Sequence, residues 1–305
     1  MDRQRLGGSA APFAQDHAIA QSTTDLSEAL ADERVDAVYI SSTYDMHKVL
    51  ALAAIAAGKH VLCEKPLAMT VGDAAEMVHA ARQAGVVFAT NHHLRASGSH
   101  RAIRALIAGG KIGRVLSLRV FHAVELPEHL RGWRLDNPAT GGGVIPDITV
   151  HNADAVGFLL GEDPVCVVAE MAATGLGKGV EDSAMSVWSM PSGAMVFGHE
   201  SFTHPFAGSG LEVHGTEGSI FARGAMTQEP VGTVELVTSA GQVVVPYDTT
   251  RLHETVIADF NALVQGKPVL STTGTDGIKL LAIALGVREA ARTGQRHTLN
   301  YGDAA

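Results

Sequence analysis

A carboxylate and an imidazole, Asp147 and His151, stand four residues apart after the glycine run at residues 141–143 and Pro146. Glycines followed by a proline predict a loop that leads into a helix, and residues four apart share one face of a helix. A carboxylate near an imidazole can fix its tautomer and raise its pKa, which suits a group that donates a proton near neutral pH. Asp154 extends the same face. For an isolated pair of this kind, a solvated polar helix face is the more common explanation.

A lysine, Lys65, lies in the tripeptide Glu64-Lys65-Pro66 directly after the predicted strand at residues 60–63. In an open parallel sheet, ligands bind beyond the carboxyl ends of the strands. The sequence therefore predicts an ammonium group at a position where a bound molecule could contact it.

The segment that precedes Lys65 has the pattern of one βαβ unit. An apolar strand at residues 35–41 is followed by a helix at about 45–57, which Gly58 ends, and then by the strand before Lys65. Two parallel strands joined by a crossover helix form such a unit. The residues that leave the first strand just before the helix carry hydroxyl groups: Ser41, Ser42 and Thr43. They could bind a phosphate or ribose group, and a simple helix cap is an equally good explanation.

The remaining pattern predicts more parallel structure and then a change of architecture. The next elements are a helix at residues 71–84, a strand at 86–90 and a helix at 99–108. Later strands are predicted at 115–124, 165–173, 184–188, 194–200, 211–214, 219–222 and 234–246, and helices at 253–265 and 275–293 close the chain. Parallel βα units followed by antiparallel strands predict a doubly wound domain and then an α+β domain.

Composition narrows the classes of partner. The 305 residues include 23 lysines and arginines and 32 aspartates and glutamates, and the net charge of −9 argues against a nucleic acid or an anionic membrane as partner.

Two distant cysteines give no disulfide framework, and no apolar run reaches the roughly 20 residues of a membrane span, so we expect a cytoplasmic protein. The 15 histidines contain no HExxH spacing, and the adjacent His92 and His93 would point to opposite faces of a strand, so we expect no metal.

Part of the chain resembles the glucose-fructose oxidoreductase/inositol dehydrogenase family of nicotinamide-dependent sugar oxidoreductases. The resemblance rests on the strand at residues 35–40, on His47, and on the string Gly58-Lys59-His60-Val61-Leu62-Cys63-Glu64-Lys65-Pro66. Further segments resemble a subgroup, the reductases that use NADPH to convert the C2 ketone of 1,5-anhydro-D-fructose to give 1,5-anhydro-D-mannitol; these segments lie at residues 91–95, 120–124, 130–135, 147–154, 179–182 and 212–219.

The resemblance implies an α/β fold with two domains. Residues 1–92 would form an incomplete Rossmann-like parallel-sheet domain, and residues 93–305 an α+β domain with a large, mostly antiparallel open sheet. The terminal helices could pack back on the first domain. A homo-oligomer could form through the sheet of the second domain.

The resemblance also implies NADP(H), and not NAD(H), as cofactor and a small-molecule sugar as substrate. Lys65 would polarise or hydrogen-bond the carbonyl, His151 would protonate the developing alkoxide, and Asp147 would orient the substrate and His151. Substrate contacts are expected from Lys65, His122, Trp133, Arg134, Asp147 and His151, and cofactor contacts from Arg5, Ser41, Ser42, Thr43, His47, Glu64, Lys65, Asn91, Trp133 and Arg134. Without the resemblance, His122 and Trp133 would more often be packing residues. Tyr44 stands where the family usually has an asparagine.

The start of the chain departs from the family, whose members open with a strand, a GxGxxG turn and a helix that hold the pyrophosphate. Gly7 and Gly8 lack that spacing, and Arg3 or Arg5 could be the remnant of a site for the 2′-phosphate. Three hypotheses stay open. The chain is an NADPH reductase whose sequence here lacks its true start, a short form that has become a sugar-binding or structural protein, or an enzyme that holds the cofactor weakly with help from a partner chain. Among enzymes, a dehydrogenase of another sugar or of inositol is the alternative.

Overall fold

The computed structural model describes residues 10–304, in which helices pack against two β-sheets. The helices are α1 Ala10–Asp16, α2 Leu26–Ala31, α3 Tyr44–Ala56, α4 Val71–Ala84, α5 Gly98–Ala108, α6 Trp133–Asp136, α7 Val150–Leu160, α8 Leu252–Val264 and α9 Gly274–Thr293. The strands are β1 Ala37–Ile40, β2 His60–Glu64, β3 Phe88–Asn91, β4 Val115–Glu125, β5 Cys166–Ala172, β6 Ser183–Ser189, β7 Met195–Ser201, β8 Thr203–Gly215, β9 Gly218–Arg223, β10 Thr233–Thr238, β11 Gly241–Val244 and β12 His297–Thr298. Short 3₁₀ turns lie at His93–Ala96, Glu128–Leu130, Pro138–Thr140 and Gly302–Ala304, and a π-helical turn lies at Ile145–Thr149. Within the described residues, none of the helices is long and apolar enough to cross a membrane.

The smaller sheet is parallel and has the strand order β1-β2-β3. Its strands contribute Ile40, Val61 and Cys63 to a hydrophobic cluster that also contains Ile55 of α3 and Met77 of α4. Short apolar strands covered by helices are typical of parallel sheets. Because the three strands run in one direction, their carboxyl ends lie at the same edge.

Helix α4 begins and ends where the sequence predicts. The Thr70 hydroxyl accepts a hydrogen bond from the backbone N–H of Asp73 at 3.1 Å, which caps the first turn. Gly85 follows the last turn with a φ of +67°, a left-handed conformation that favours glycine. The chain then returns to the sheet as β3.

The larger sheet has the strand order β11-β10-β9-β8-β4-β7-β6-β5-β12 in the part of the chain that the structure describes. The pair β4 and β7 is parallel, and the other neighbouring pairs are antiparallel. Strands β6 and β7 form the predicted hairpin, with Val187 opposite Phe197. The predicted α/β fold with a large, mostly antiparallel sheet is therefore confirmed.

Helix α9 connects the hydrophobic clusters of the two sheets. Ile278 and Leu281 belong to the cluster of the smaller sheet. Ile283 and Val287 belong to the cluster of the larger sheet, together with the fully buried Trp188 of β6. The last long helix thus packs against both parts of the chain, and the division at residues 92 and 93 stays a prediction.

Two local predictions were wrong. The hydroxyls of Thr23 and Thr24 just before residues 25–32 predict the cap of a helix there, but helix α2 is capped by Asp25, whose carboxylate accepts a hydrogen bond from the Ser27 N–H at 2.9 Å. Strand β8 begins at Thr203 rather than near residue 211. Its first half is mostly exposed and contains Pro205 and Gly208, so it lacks the alternation of apolar and polar residues by which the sequence could reveal a strand.

Candidate active site

Lys65 lies at the carboxyl edge of the smaller sheet and contacts the π-helical turn at Ile145–Thr149. Its Nζ donates hydrogen bonds to Oδ1 of Asp147 at 2.6 Å and to the backbone oxygen of Asp147 at 2.7 Å. The two side chains are only 12% and 9% exposed. The structure therefore brings two of the predicted catalytic residues into a largely buried ion pair.

Two further groups approach the Asp147 carboxylate. The Tyr44 hydroxyl donates a hydrogen bond to Oδ1 at 2.6 Å, and Nε of Arg134 lies 3.6 Å from Oδ2. Burial by itself raises the pKa of Asp147, but Lys65, Arg134 and the Tyr44 hydrogen bond together lower that pKa below its usual value. Burial, and then the negative Asp147, raise the pKa of Tyr44. Near neutral pH, Asp147 is therefore an ionised acceptor and Tyr44 a hydroxyl donor.

The backbone before Asp147 explains its position. Gly143 has a φ of +117°, which favours glycine, and any side chain there would meet the carboxylate of Glu181. The next turn is π-helical, so its hydrogen bonds run from residue i to i+5. Among residues 10–304, Asp147 and His151 share neither a hydrogen bond nor an ion pair, because the Asp147 carboxylate is bonded to Lys65 and Tyr44.

His151 faces other histidines rather than Asp147. Its ring centroid lies 4.8 Å from that of His93 and 5.6 Å from that of His92. The buried Nδ1 of His151 has no hydrogen-bond partner among residues 10–304. Burial, and next the charge of Lys65, hold the pKa of His151 well below its usual value. The expectation that a neighbouring carboxylate raises this pKa is therefore wrong, and the resting imidazole is neutral.

Asp154 does not extend the face of Asp147 and His151 toward a ligand. Its Oδ1 is buried and accepts a hydrogen bond from Nε of Arg95 at 2.5 Å. Burial raises the pKa of Asp154 to about 6, even though Arg95 opposes this shift. Asp154 thus pairs with a residue that follows β3, and its role is structural.

Of the four predicted substrate residues outside the Lys65 and Asp147 pair, three lie near Tyr44 or Asp147: His122, Trp133 and Arg134. The rings of Trp133 and Tyr44 meet edge to face with their centroids 4.8 Å apart, and the Arg134 guanidinium lies 4.7 Å from the Trp133 ring. Burial lowers the pKa of His122 to about 4 against the attraction of Asp147. These side chains form an aromatic and cationic wall beside the ion pair.

Glu64 and Asn91, two predicted cofactor residues, meet at the carboxyl ends of β2 and β3. The Glu64 carboxylate accepts hydrogen bonds from Nδ2 of Asn91 at 2.6 Å and from the Tyr39 hydroxyl. Oδ1 of Asn91 is buried and has no hydrogen-bond partner within the described part of the chain. Buried acceptors in proteins are nearly always hydrogen-bonded, so this oxygen is a suitable acceptor for an N–H or O–H group of a bound molecule.

The hydroxyl residues before α3 differ in their contacts. Thr43 is the N-cap of α3 by position but makes no capping hydrogen bond with its side chain among residues 10–304. The Ser42 hydroxyl donates to the backbone oxygen of Thr43 at 3.2 Å, and Ser41 is exposed. The interpretation of these residues as a simple helix cap is therefore wrong, because the first turn of α3 keeps its N–H groups free of side-chain acceptors from the described residues.

His47 has a supporting position. It is 0% exposed, and its ring nitrogens lie 2.9 Å from the Pro66 oxygen and 3.3 Å from the Ser42 oxygen. With both nitrogens facing backbone carbonyls, His47 holds the end of β1 beside the residue after Lys65. Its predicted contact with the cofactor stays a prediction. The predicted contact of Arg5 falls outside the described residues.

The residues at this edge fit the nicotinamide end of a dinucleotide. A carboxamide offers the N–H donor that Oδ1 of Asn91 lacks. The open first turn of α3 suits the oxygen atoms of a ribose or phosphate group. In the described ranges, no group of three or more His, Cys, Asp or Glu side chains is placed to hold a metal ion.

Sequence reasoning missed Tyr44 and the two histidines beside His151. The available signal for Tyr44 is its position, because it places a phenol directly after the hydroxyl residues that end the first strand. His92 and His93 do not point to opposite faces of a strand, because β3 ends at Asn91 and a 3₁₀ turn starts at His93. That correction places both imidazoles against His151.

Two family descriptions match this chain. Residues 5–92 match "Oxidoreductase family, NAD-binding Rossmann fold", and residues 100–221 match "GFO/IDH/MocA C-terminal domain". The chain is 52% identical to 1,5-anhydro-D-fructose reductase of Ensifer adhaerens over 293 residues, which cover 96% of this chain and 88% of that protein.

More distant proteins agree in sequence or fold. Inositol 2-dehydrogenase of Rhizobium meliloti (strain 1021) is 30% identical over 86% of this chain and 79% of its own length. The crystal structure of aldose-aldose oxidoreductase from Caulobacter crescentus, complexed with glycerol, aligns with a TM-score of 0.86 at 24% identity. That alignment covers 95% of this chain and 88% of the other, and it concerns the fold alone.

Proposed function

The chain belongs to the GFO/IDH/MocA oxidoreductase family, and on this premise we propose that it uses NADPH to reduce the C2 ketone of 1,5-anhydro-D-fructose to 1,5-anhydro-D-mannitol. The observation that carries the proposal is the buried pair of Lys65 and Asp147, with His151 close by, at the carboxyl edge of the parallel sheet. The relative that is 52% identical supports the choice of substrate.

Lys65 is suited to activate the ketone. An ammonium group has three N–H donors, and Asp147 uses two of them. The third can point to the ketone oxygen and stabilise the negative charge that develops there during reduction. The bound cofactor supplies the hydride to the ketone carbon.

His151 is the proton donor in this proposal. The alkoxide oxygen formed at the former ketone takes a proton from the imidazole, which is a common role for histidine. Asp147 stays ionised, so it cannot compete as a donor. Its Oδ2 is free of the hydrogen bonds that occupy Oδ1 and can accept one from a sugar hydroxyl.

The cofactor would be held by residues at the strand ends. Ser41, Ser42 and Thr43 would contact its ribose or phosphate oxygens, and Glu64 and Asn91 its nicotinamide carboxamide. Trp133 and Arg134 would close the pocket between cofactor and sugar. The choice of NADP(H) over NAD(H), like the cytoplasmic location, is part of the proposal and rests on the sequence resemblance and composition.

A second candidate is a dehydrogenase of another cyclic polyol or sugar. The 30% identity with an inositol 2-dehydrogenase favours it. Such an enzyme would share Lys65, Asp147 and His151 but would not need Trp133 and Arg134 beside them. The wall formed by these two residues is the reason to prefer the anhydro sugar.

A titration of the purified chain with NADPH, followed by nicotinamide fluorescence, tests the proposal. We expect saturable binding, weaker binding of NADH, and NADPH oxidation when 1,5-anhydro-D-fructose is added. NAD⁺-dependent oxidation of myo-inositol without reduction of the anhydro sugar would favour the second candidate. A folded chain that binds neither nucleotide would overturn both and leave a non-catalytic protein.

A further inference from the structure

The proposed reaction consumes one proton in each turnover, and the resting site does not hold it on His151. His151 is 5% exposed, and its Nδ1 has no hydrogen-bond partner in the described part of the chain. The titratable groups that face it are Lys65, His92, His93 and His122. The positive charge of Lys65 disfavours a stored imidazolium. His151 must therefore receive its proton during the catalytic cycle.

The imidazole rings of His92 and His93 pack against that of His151. Of these two, His93 is the one that contacts an exposed histidine within the described residues. His92 is buried, its Nδ1 is unpartnered among residues 10–304, and its other charged neighbours are Arg95 and Lys65. His93 contacts the exposed His253 at the start of α8, with ring centroids 5.6 Å apart. From bulk water to His151, the route is thus His253, His93, His151.

We propose that His253 and His93 form a proton path that reloads His151 from solvent; this inference rests on the proposed function. The ring centroids along the path are 5.6 Å and 4.8 Å apart, distances that a direct contact or one bridging water can span. The titratable groups around His93 are His253, Lys65, His122 and His100. Burial lowers the pKa of His93 to about 3, so His93 passes a proton on instead of retaining it.

The transfer balances without any other reactant. A proton from water adds to His253, and His253 releases a proton toward one ring nitrogen of His93. His93 releases the proton on its other nitrogen toward His151, and His151 gives one to the alkoxide oxygen. Each imidazole binds one proton and loses one, no electrons move along the path, and one solvent proton is consumed in each turnover. A change of tautomer then resets His93.

The variant His253→Gln tests the path, because its side chain is exposed and its loss should leave folding intact. With enzyme in excess, we expect the first reduction of 1,5-anhydro-D-fructose by NADPH to be slowed, because the resting His151 holds no extra proton and already needs the path. In multiple turnover, we expect kcat to fall about tenfold, as for the loss of a proton-transfer group. Imidazole added to the buffer should restore kcat. His79→Gln, which removes another exposed histidine on α4, is the matched control and should behave as wild type.

An unchanged kcat in His253→Gln, a first turnover at the wild-type rate, or no rescue by imidazole would overturn the path. A second measurement needs no cofactor: exchange of the His151 and His93 ring N–H protons with water, observed by NMR of ¹⁵N-histidine protein. We expect slower exchange in His253→Gln than in wild type and in His79→Gln, and equal exchange would also overturn the proposal. A wild-type protein that does not oxidise NADPH contradicts the proposed function, while the exchange measurement still decides the path.

Discussion

One carboxylate oxygen in this site accepts two hydrogen bonds of different kinds. Oδ1 of Asp147 is 2.6 Å from Nζ of Lys65 and 2.6 Å from the Tyr44 hydroxyl. Lys65 offers charge, whereas Tyr44 is a neutral donor whose ring also packs against Trp133. Tyr44 is therefore a positioning residue that acts through Asp147.

We expect Tyr44→Phe to lower kcat/KM about tenfold and the free energy of unfolding by about 1 kcal/mol, because one buried hydrogen bond is lost. Since the Tyr44 hydroxyl helps to lower the pKa of Asp147, its removal raises that pKa. The acidic limb of the profile of kcat/KM against pH should then move to higher pH. Tyr247→Phe, which removes a hydroxyl bonded to the backbone oxygen of Gly232, is the control. An unshifted acidic limb would contradict the positioning role.

His151→Asn should depress turnover by roughly two to four orders of magnitude if His151 is the proton donor. The amide can hydrogen-bond but cannot deliver a proton to an alkoxide. Steady-state NADPH oxidation measures the effect, and unchanged NADPH binding by fluorescence shows that the site is intact. Turnover within a few-fold of wild type would remove His151 from this role.

At the scale of elements, the loop before β6 supports the π-helical turn. Oε1 of Glu181 accepts hydrogen bonds from the Ile145 N–H at 3.3 Å and from Arg288 of α9 at 2.9 Å. The neighbouring Asp182 is fully buried and accepts hydrogen bonds from successive backbone N–H groups between Thr174 and Gly177. The turn that carries Asp147 is thus held by groups from a loop and a distant helix.

A second buried carboxyl links α7 to β7. Nδ2 of Asn152 donates a hydrogen bond to Oε1 of Glu200 at 2.7 Å, and both side chains are 0% exposed. Burial raises the pKa of Glu200 from 4.5 to about 8. The folded state therefore binds a proton that the unfolded state releases between these pH values, and stability falls as the pH rises through that window.

Glu200→Gln should remove this pH dependence, because an amide of nearly the same shape carries no charge. We expect the variant to have a free energy of unfolding on the order of 1–3 kcal/mol higher than wild type at pH 8. Below about pH 4.5, where the carboxyl is protonated in both states, the difference should vanish. Urea denaturation at a series of pH values measures this. Glu170→Gln, on an exposed position of β5, is the matched control. A wild-type stability that does not decline between pH 5 and pH 8 would contradict the assignment.

At the scale of the whole molecule, the two faces of the larger sheet differ. One face packs against α7 and α9, while the opposite face exposes a contiguous group of apolar side chains on β5, β6 and β7: Val168, Met185, Val187, Met195 and Phe197. Exposed apolar patches of this kind often mark contacts between proteins. Association of two copies through this face therefore stays a prediction.

If two copies associate there, Phe197→Glu should give a monomer, because burying a carboxylate at the centre of an apolar contact is unfavourable. Light scattering coupled to size-exclusion chromatography measures the mass of each form. Gln242→Glu, which adds a carboxylate on β11 at the far edge of the same sheet, is the control and should leave the mass unchanged. A wild-type protein that elutes as a monomer at high concentration would show that this face does not mediate self-association.

The sequence by itself determined the order of the elements and the identity of the predicted catalytic residues. Apolar runs, helix caps and glycines are local signals, so they predicted α4 nearly residue by residue and placed Lys65 at the end of β2. They also singled out Asp147 and His151, because both lie just after a glycine run in the segment that the resemblance highlights.

Only the tertiary structure decided which of these residues touch. Lys65 and Asp147 are 82 positions apart, and no local pattern reports a contact over that distance. The spacing of four residues suggested that Asp147 orients His151, but in the structure the Asp147 carboxylate accepts hydrogen bonds from Lys65 and Tyr44 instead. The sequence also could not predict the protonation of His151. Its pKa depends on burial and on the charges of Lys65, His93 and His92, which come from other segments of the chain. Burial and the approach of distant charges both result from packing between segments that are far apart in the chain, so a local sequence pattern does not report them.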